Sequence, residues 1–182
     1  MKKASILLLV LLSAALPFAL QGQSGWIKYN SPEGRYSVLF PGEPKLSTQD
    51  TTAATGEKML QYLAMSSDSD AVYMVGYFDS ASNMTFSFDK ARDGFVAAVK
   101  GTLLAEKTIS LDGNPGRELK VLAKISDADE LIMIVRLFRV GVRIYVIQLI
   151  VSKSSEAAIS AEKNVNYFDS FQVTKPRQRP AK

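Results

Sequence analysis

The side chains that run most enzyme chemistry are missing from this chain. It holds no histidine and no cysteine in 182 residues. That removes Ser-His-Asp and Cys-His nucleophile systems, thiolate metal sites, the commonest metal ligand and any disulfide. Zinc, copper and non-haem iron fit such a chain poorly. No G-x-G-x-x-G or P-loop is present, and no cofactor is implied. Carboxylate chemistry, an unusual Ser-Lys pair and calcium binding remain.

Two acidic clusters are candidates for calcium. One is Asp68 with Asp70; the other is Asp127, Asp129 and Glu130. Calcium takes about six to eight oxygen ligands, and neither cluster has EF-hand spacing. Asp and Ser are also ordinary residues of tight turns, which is the reading favoured for both. A hydrolase working with carboxylates alone needs two acids facing each other about 5–10 Å apart, and the sequence does not show which acids meet. Arginines are the other candidates. Arg117, beside Glu118, follows an Asp112-Gly-Asn-Pro-Gly116 turn, and Arg136, Arg139 and Arg143 punctuate the most apolar internal stretch. If that stretch folds back on itself, Arg136 and Arg143 approach across the turn as an anion or carboxylate site. A strand arginine more often pairs with a nearby acid or reaches out at an edge.

The stretch that must position those arginines is Leu131–Lys153, interrupted by Gly141. As a membrane helix it would carry three arginines near the bilayer centre, each costing roughly 2.5–3.5 kcal/mol. Two strands turning at Val140-Gly141 fit better, because β-branched and aromatic residues fill both halves. Both alternating sets are apolar: Leu131, Met133, Val135 and Leu137 against Ile132, Ile134 and Phe138. These are therefore expected to be central strands covered on both faces.

The remaining elements follow from periodicity and turn residues. Strands are expected at Trp26–Tyr29, Tyr36–Phe40, Lys58–Ser66, Ala71–Phe78, Leu103–Leu111, Arg117–Ile125 and Phe171–Val173. Residues 45–56 read as an edge strand or a loose connection. Phe88, Ala91, Phe95 and Val99 recur at helical spacing, with Ser87 as N-cap and Gly101 as the stop. A second helix is expected from Ser154, with Ala158, Ala161, Val165 and Phe168 on its apolar face. Core packing is the default for Trp26, Tyr29, Tyr36 and Tyr73, and an exposed aromatic patch is the alternative. Asn83-Met-Thr85 fits a glycosylation acceptor and is read as a chance match.

Lys2-Lys3 followed by the apolar run Ile6–Leu20 reads as a secretory signal peptide over residues 1–23. A periplasmic or secreted bacterial protein is the consequence, with no membrane span once that segment is removed. Without cysteine there is no lipid anchor of the lipoprotein kind. The formal net charge is +4, but two basic residues lie in the signal and four (Lys175, Arg177, Arg179, Lys182) in the tail. Sixteen basic residues therefore face 18 acidic ones in the body. Such a balance gives no basis for nucleic-acid binding. One domain, residues 24–174, and a disordered basic tail, residues 175–182, are expected.

Several segments in order resemble one family: W-x-x-Y-x-S-P-E-G-x-Y-S-V-x-F-P-G-x-P from Trp26, G-T-L-L-A-E-K from Gly101, L-D-G-N-P-G-R-E-L-K from Leu111, R-I-Y-V-I-Q-L from Arg143 and F-D-S-F-Q-V from Phe168. Together they resemble the PsbP/Mog1-like family, and its uncharacterised exported bacterial members most. The resemblance implies an α+β fold with an antiparallel sheet sandwiched between helices. It also implies an accessory, non-enzymatic role, since relatives include the photosystem II extrinsic subunit of the thylakoid lumen and a Ran-binding protein. The chain departs from the photosystem subunit after Pro41, where Pro44 stands in place of a P-x-x-W-like opening. A protein partner in the bacterial envelope is the function expected. A small-ligand or calcium-binding module and a carboxylate hydrolase are the alternatives.

Overall fold

The computed structural model describes residues 25–52, 58–80, 86–124, 130–159 and 161–174. The expected signal segment, the basic tail and the Asn83-Met-Thr85 triplet lie outside those residues, as do two of the calcium candidates, Asp127 and Asp129.

Two antiparallel sheets carry the fold. The smaller has the order β1 (Ile27–Ser31), β2 (Tyr36–Phe40), β10 (Gln172–Val173). The larger has seven strands in the order β3 (Lys45–Thr52), β4 (Lys58–Ser67), β5 (Ala71–Asp79), β9 (Arg143–Ser152), β8 (Glu130–Val140), β7 (Asn114–Lys124), β6 (Thr102–Leu111). The β8–β9 hairpin sits centrally, with Val140 opposite Arg143 and Gly141 at φ 63° in the two-residue turn. Glycine takes that conformation at little steric cost. The β6–β7 turn is also two residues, Asp112 (φ 49°) and Gly113 (φ 80°), as Asp-Gly hairpins favour. Pro115 and Gly116, expected in the turn, belong to β7 instead.

The two apolar sets of the central hairpin do face two different cores. Met133, Val135, Leu137, Ile144 and Val146 join Leu119 and Val121 under helix α1 (Phe88–Ala98). Ile132, Phe138, Tyr145, Ile147 and Leu149 face Tyr36, Val38 and Phe40 of the smaller sheet, with Tyr167, Phe168 and Phe171. The expected sandwich between helices is thus corrected: one face of the large sheet carries α1, and the other is covered chiefly by a second sheet. Two-sided hydrophobicity demands cover on both faces but does not specify whether helix or sheet supplies it.

The helix begins as expected, with the Ser87 hydroxyl accepting from the Lys90 N–H. At its end the left-handed residue is Lys100 (φ 48°), and the Gly101 N–H bonds the Val96 carbonyl. Gly101 is required for space, since a Cβ there would stand 2.7 Å from Val121 Cγ1 and 2.9 Å from the Leu122 carbonyl. The expected second helix is broken into a 3-10 turn (Lys153–Ala158), α2 (Ala161–Asn164) and a π-helical turn (Val165–Asp169). The Ser152 hydroxyl draws the Ser154 N–H into local pairing. The π turn leaves the adjacent Tyr167 and Phe168 both buried.

Candidate functional site: the edge strand and its tyrosine cleft

The arginines proposed from sequence are all engaged, and they do not converge. On β7, Arg117 faces α1, paired with Glu106 and lying over the Phe88 ring at 5.8 Å. Arg136 lies on the opposite face, 2.6 Å from Glu118 and 3.0 Å from Asp169, over the Phe168 ring at 4.6 Å. Arg143 shares that face but stands opposite Val140, whereas Arg136 stands opposite Ile147. Four strand positions separate the two, roughly 13 Å at about 3.3 Å each. Arg143 grips Asp79 through Nε (2.7 Å) and Nη2 (2.8 Å), donates to the Glu33 carbonyl at 2.6 Å, and covers the Tyr77 ring at 4.6 Å. Arg139 donates to the Gly141 carbonyl at the hairpin turn.

The described candidate carboxylates Asp68, Asp70 and Glu130 are equally committed. Burial pushes the Asp68 carboxyl up. Donors from Asp70 N–H, the Tyr73 hydroxyl, Lys163 and Ala71 N–H outweigh it and leave the group below its ordinary value. Asp68 thus caps its own turn. Asp70 shares Lys163 at 3.0 Å. Of the second acidic cluster, Asp127, Asp129 and Glu130, only Glu130 lies among the described residues. Glu130 is an ion-pair carboxylate, held by Lys153 and, at 4.0 Å, by Lys124, and the Lys153 hydrogen bond lowers its pKa. Neither Asp127 nor Asp129 is among the described residues. On β7, burial raises Glu118, but Lys107 and Arg136 outweigh it and hold it low. Among the described residues no group of three or more acids is arranged to hold a metal.

What remains open is one edge of the large sheet. Strand β3 pairs only with β4 among the described residues, and its eight pairs, from Lys45–Met65 to Thr52–Lys58, run without a bulge. The opposite edge, β6, is interrupted by a bulge between Leu103 and Ala105. Bulges blunt an edge against pairing, so the two edges are not equivalent. Leu46 (63 % exposed), Leu60 (45 %) and Tyr62 (42 %) stand in the open on this β3–β4 hairpin.

Beside that edge lies an open cleft of about 410 Å³ between β3–β4 and the β1–β2 hairpin. Its walls include Tyr29, Tyr36, Tyr62 and Tyr77, with Leu46, Thr48 and Glu33. Tyr62 stacks on Tyr77 at 4.9 Å, Tyr36 meets Tyr77 edge-on at 6.2 Å, and Tyr29 tilts against Tyr36 at 6.0 Å. Tyr36 and Tyr77 are buried at the floor, whereas Tyr29 is half-buried and Tyr62 exposed. Burial raises the phenol pKa of Tyr36 and Tyr77. Arg143 and the Tyr145 hydroxyl, which donates to the Gly34 carbonyl at 2.8 Å, pin the turn that carries Glu33.

Of the aromatics singled out from sequence, Trp26 and Tyr73 pack edge-on at 5.2 Å as part of the core, and only Tyr29 and Tyr36 reach the cleft. Leu46, Glu33, Tyr62 and Tyr77 were not anticipated. The available signal was Leu60-x-Tyr62 alternating with Met59, Leu63 and Met65, which is apolarity on both faces of an outer hairpin.

Among the described residues, two antiparallel sheets pack through an aromatic core with helix α1 on the outer face of the larger, and this fold is PsbP-like. The solution structure of cyanobacterial PsbP (CyanoP) from Synechocystis sp. PCC 6803 matches with a TM-score of 0.58 at 14% identity, over 82% of this chain and 93% of that one. At that identity the likeness is one of fold. PA94 of Pseudomonas aeruginosa, a protein of unknown function, aligns at 12% identity and TM-score 0.45 over 83% and 98%. A Bacteroides thetaiotaomicron protein aligns at 13% identity and TM-score 0.46 over 83% of this chain and 49% of its own. No protein-family model and no curated protein matches the sequence. Among the described residues, no helix is long and apolar enough to cross a membrane.

Proposed function

We propose that the protein is an exported, non-enzymatic accessory domain that binds a protein partner in the bacterial envelope. The partner docks as an extended segment along β3, over the tyrosine cleft. Export is supported by the Lys-Lys and apolar opening of the chain. A non-enzymatic role is supported by the lack of histidine and cysteine and by the ion pairs that hold Glu106, Glu118, Asp79 and Glu130. The observation that carries the docking site is the unbulged β3 edge bordered by exposed Leu46, Leu60 and Tyr62. Strand addition at such an edge takes affinity from backbone hydrogen bonds and specificity from pockets under alternate side chains.

The test is crosslinked affinity capture from the host's own envelope, using the chain tagged at its C-terminus. Wild-type bait is compared with Leu46→Lys, which places a charge on the exposed edge. We expect one stoichiometric partner, lost in the variant at unchanged melting temperature. Equal capture by both baits would contradict docking at β3.

A further inference from the structure

Charge and aromaticity together say what the cleft accepts. Among the described residues, Glu33 is the one carboxylate in its lining, no lysine or arginine lines it, and the Glu33 carboxylate forms no ion pair. The cation nearest by contact, Arg143, is occupied by Asp79 and lies over the Tyr77 ring. Tyr29 and Tyr62 offer their accessible ring surfaces to the same space. Aromatic faces carry negative potential, and a cation within about 6 Å of their centroids is attracted. A lone carboxylate beside such faces repels anions and reinforces that selection.

We infer that the cleft holds the cationic side chain of a lysine or arginine projecting from the partner's extended segment. This rests on the docking along β3 and adds the chemistry of the residue read there. The geometry is consistent with the strand period. In an extended segment paired to β3, every second side chain points to the face carrying Leu46, Thr48 and Tyr62, and its neighbours point away. A basic residue at one such position reaches the rings through its apolar stem and sets its charge against Glu33, as long cationic side chains do on mixed surfaces. Tyr62, already stacked on Tyr77, presents its outer face without reorganising.

The probes are three synthetic pentapeptides, acetyl-Val-Thr-X-Thr-Val-amide with X as lysine, norleucine or glutamate. Each is titrated into the full chain purified from its host, with binding followed by amide chemical shifts. The lysine peptide is expected to bind about tenfold tighter than the norleucine peptide, and the glutamate peptide weakest. Glu33→Gln should cut the lysine preference to below about threefold while the melting temperature stays fixed, because Glu33 is exposed and its carbonyl contact with Arg143 is kept. Tyr62→Leu should reduce it as well, showing that the ring contributes besides the carboxylate. Equal binding of the lysine and norleucine peptides, or a preference that survives Glu33→Gln, overturns the cation assignment and leaves strand docking standing. Failure of all three peptides to shift any β3 amide at millimolar concentration overturns both.

Discussion

Tyr62 lies flat on Tyr77, with ring centroids 4.9 Å apart and planes only 10° from parallel, directly across the β4–β5 pairing. One ring of the pair is buried at 6 % exposure and the other is 42 % exposed. The inner ring anchors the stack in the core and the outer one paves the cleft. Tyr62→Ala should therefore cost only about 1 kcal/mol of stability, read by urea unfolding, yet abolish partner capture. A loss of several kcal/mol would place Tyr62 in the core rather than at a binding surface.

Gly116 is a packing requirement, since a Cβ there would lie 2.4 Å from Phe138 Cδ1 and 2.7 Å from the Leu137 carbonyl. Phe138 is itself buried and the carbonyl belongs to a central strand, so neither yields freely. We expect Gly116→Ala to destabilise by about 2–3 kcal/mol, measured as a lower urea midpoint at unchanged m-value.

Arg143 holds Asp79 through two donors and the Glu33 carbonyl through a third. Lysine cannot reproduce that fork. Arg143→Lys should lower stability by about 1–2 kcal/mol and weaken peptide binding by loosening the turn that carries Glu33. In an Asp79→Asn background the same change should cost less. Equal costs in both backgrounds would show that the pair is not coupled.

The pH profile of stability should have a broad plateau and two shoulders. Hydrogen bonding from Arg143 holds the Asp79 carboxyl low. In Asp68, Glu106 and Glu118, burial raises the pKa but is outweighed by donors, so these too sit low in the fold. Such groups stabilise the fold above the unfolded value near pH 4 and lose that contribution as pH falls through their depressed folded values. Burial does the reverse to Tyr36, Tyr73, Tyr77, Tyr145 and Tyr167, whose phenols stay protonated in the fold. Their stabilisation is complete below the unfolded value near pH 10 and is lost as pH rises further. With no histidine to titrate between, the melting temperature should be level from about pH 5.5 to 9. Above about pH 10 it should fall steeply, with the phenolate absorbance of these five rings appearing together with unfolding. Phenolate absorbance exceeding that of two of the seven tyrosines well before unfolding would contradict the burial of these rings.

The parts of the fold set by local rules were legible in the sequence. Asp112-Gly113 and Gly141 mark hairpin turns, and the double apolar alternation of Leu131–Val151 marks central strands. What covers those strands was not legible, because Tyr36, Val38 and Phe40 alternate in the same way whether they pair with the large sheet or pack upon it. The break in the second helix is not legible in the sequence because Ala158, Ala161, Val165 and Phe168 fit helical spacing while the Ser152 hydroxyl pairs locally with the Ser154 N–H. The cleft was the least legible part. Tyr29 and Tyr36 meet Tyr62 and Tyr77 only through tertiary packing, and period-two patterning does not reveal that β3 ends the sheet. Arg136 and Arg143 stand in an apolar run, yet each has an acid as its register partner: Glu118 stands opposite Arg136 and Asp79 opposite Arg143.

Docking at the β3 edge is tested most directly by site-specific photocrosslinking in the living host. Benzoylphenylalanine is placed at Thr48 on β3 or at Leu104 on the bulged opposite edge, both exposed to solvent. Partner binding along β3 should give one dominant adduct from position 48, absent from position 104 and lost when Tyr62→Ala is added. Adducts of equal yield from both edges, or none from position 48, would contradict it.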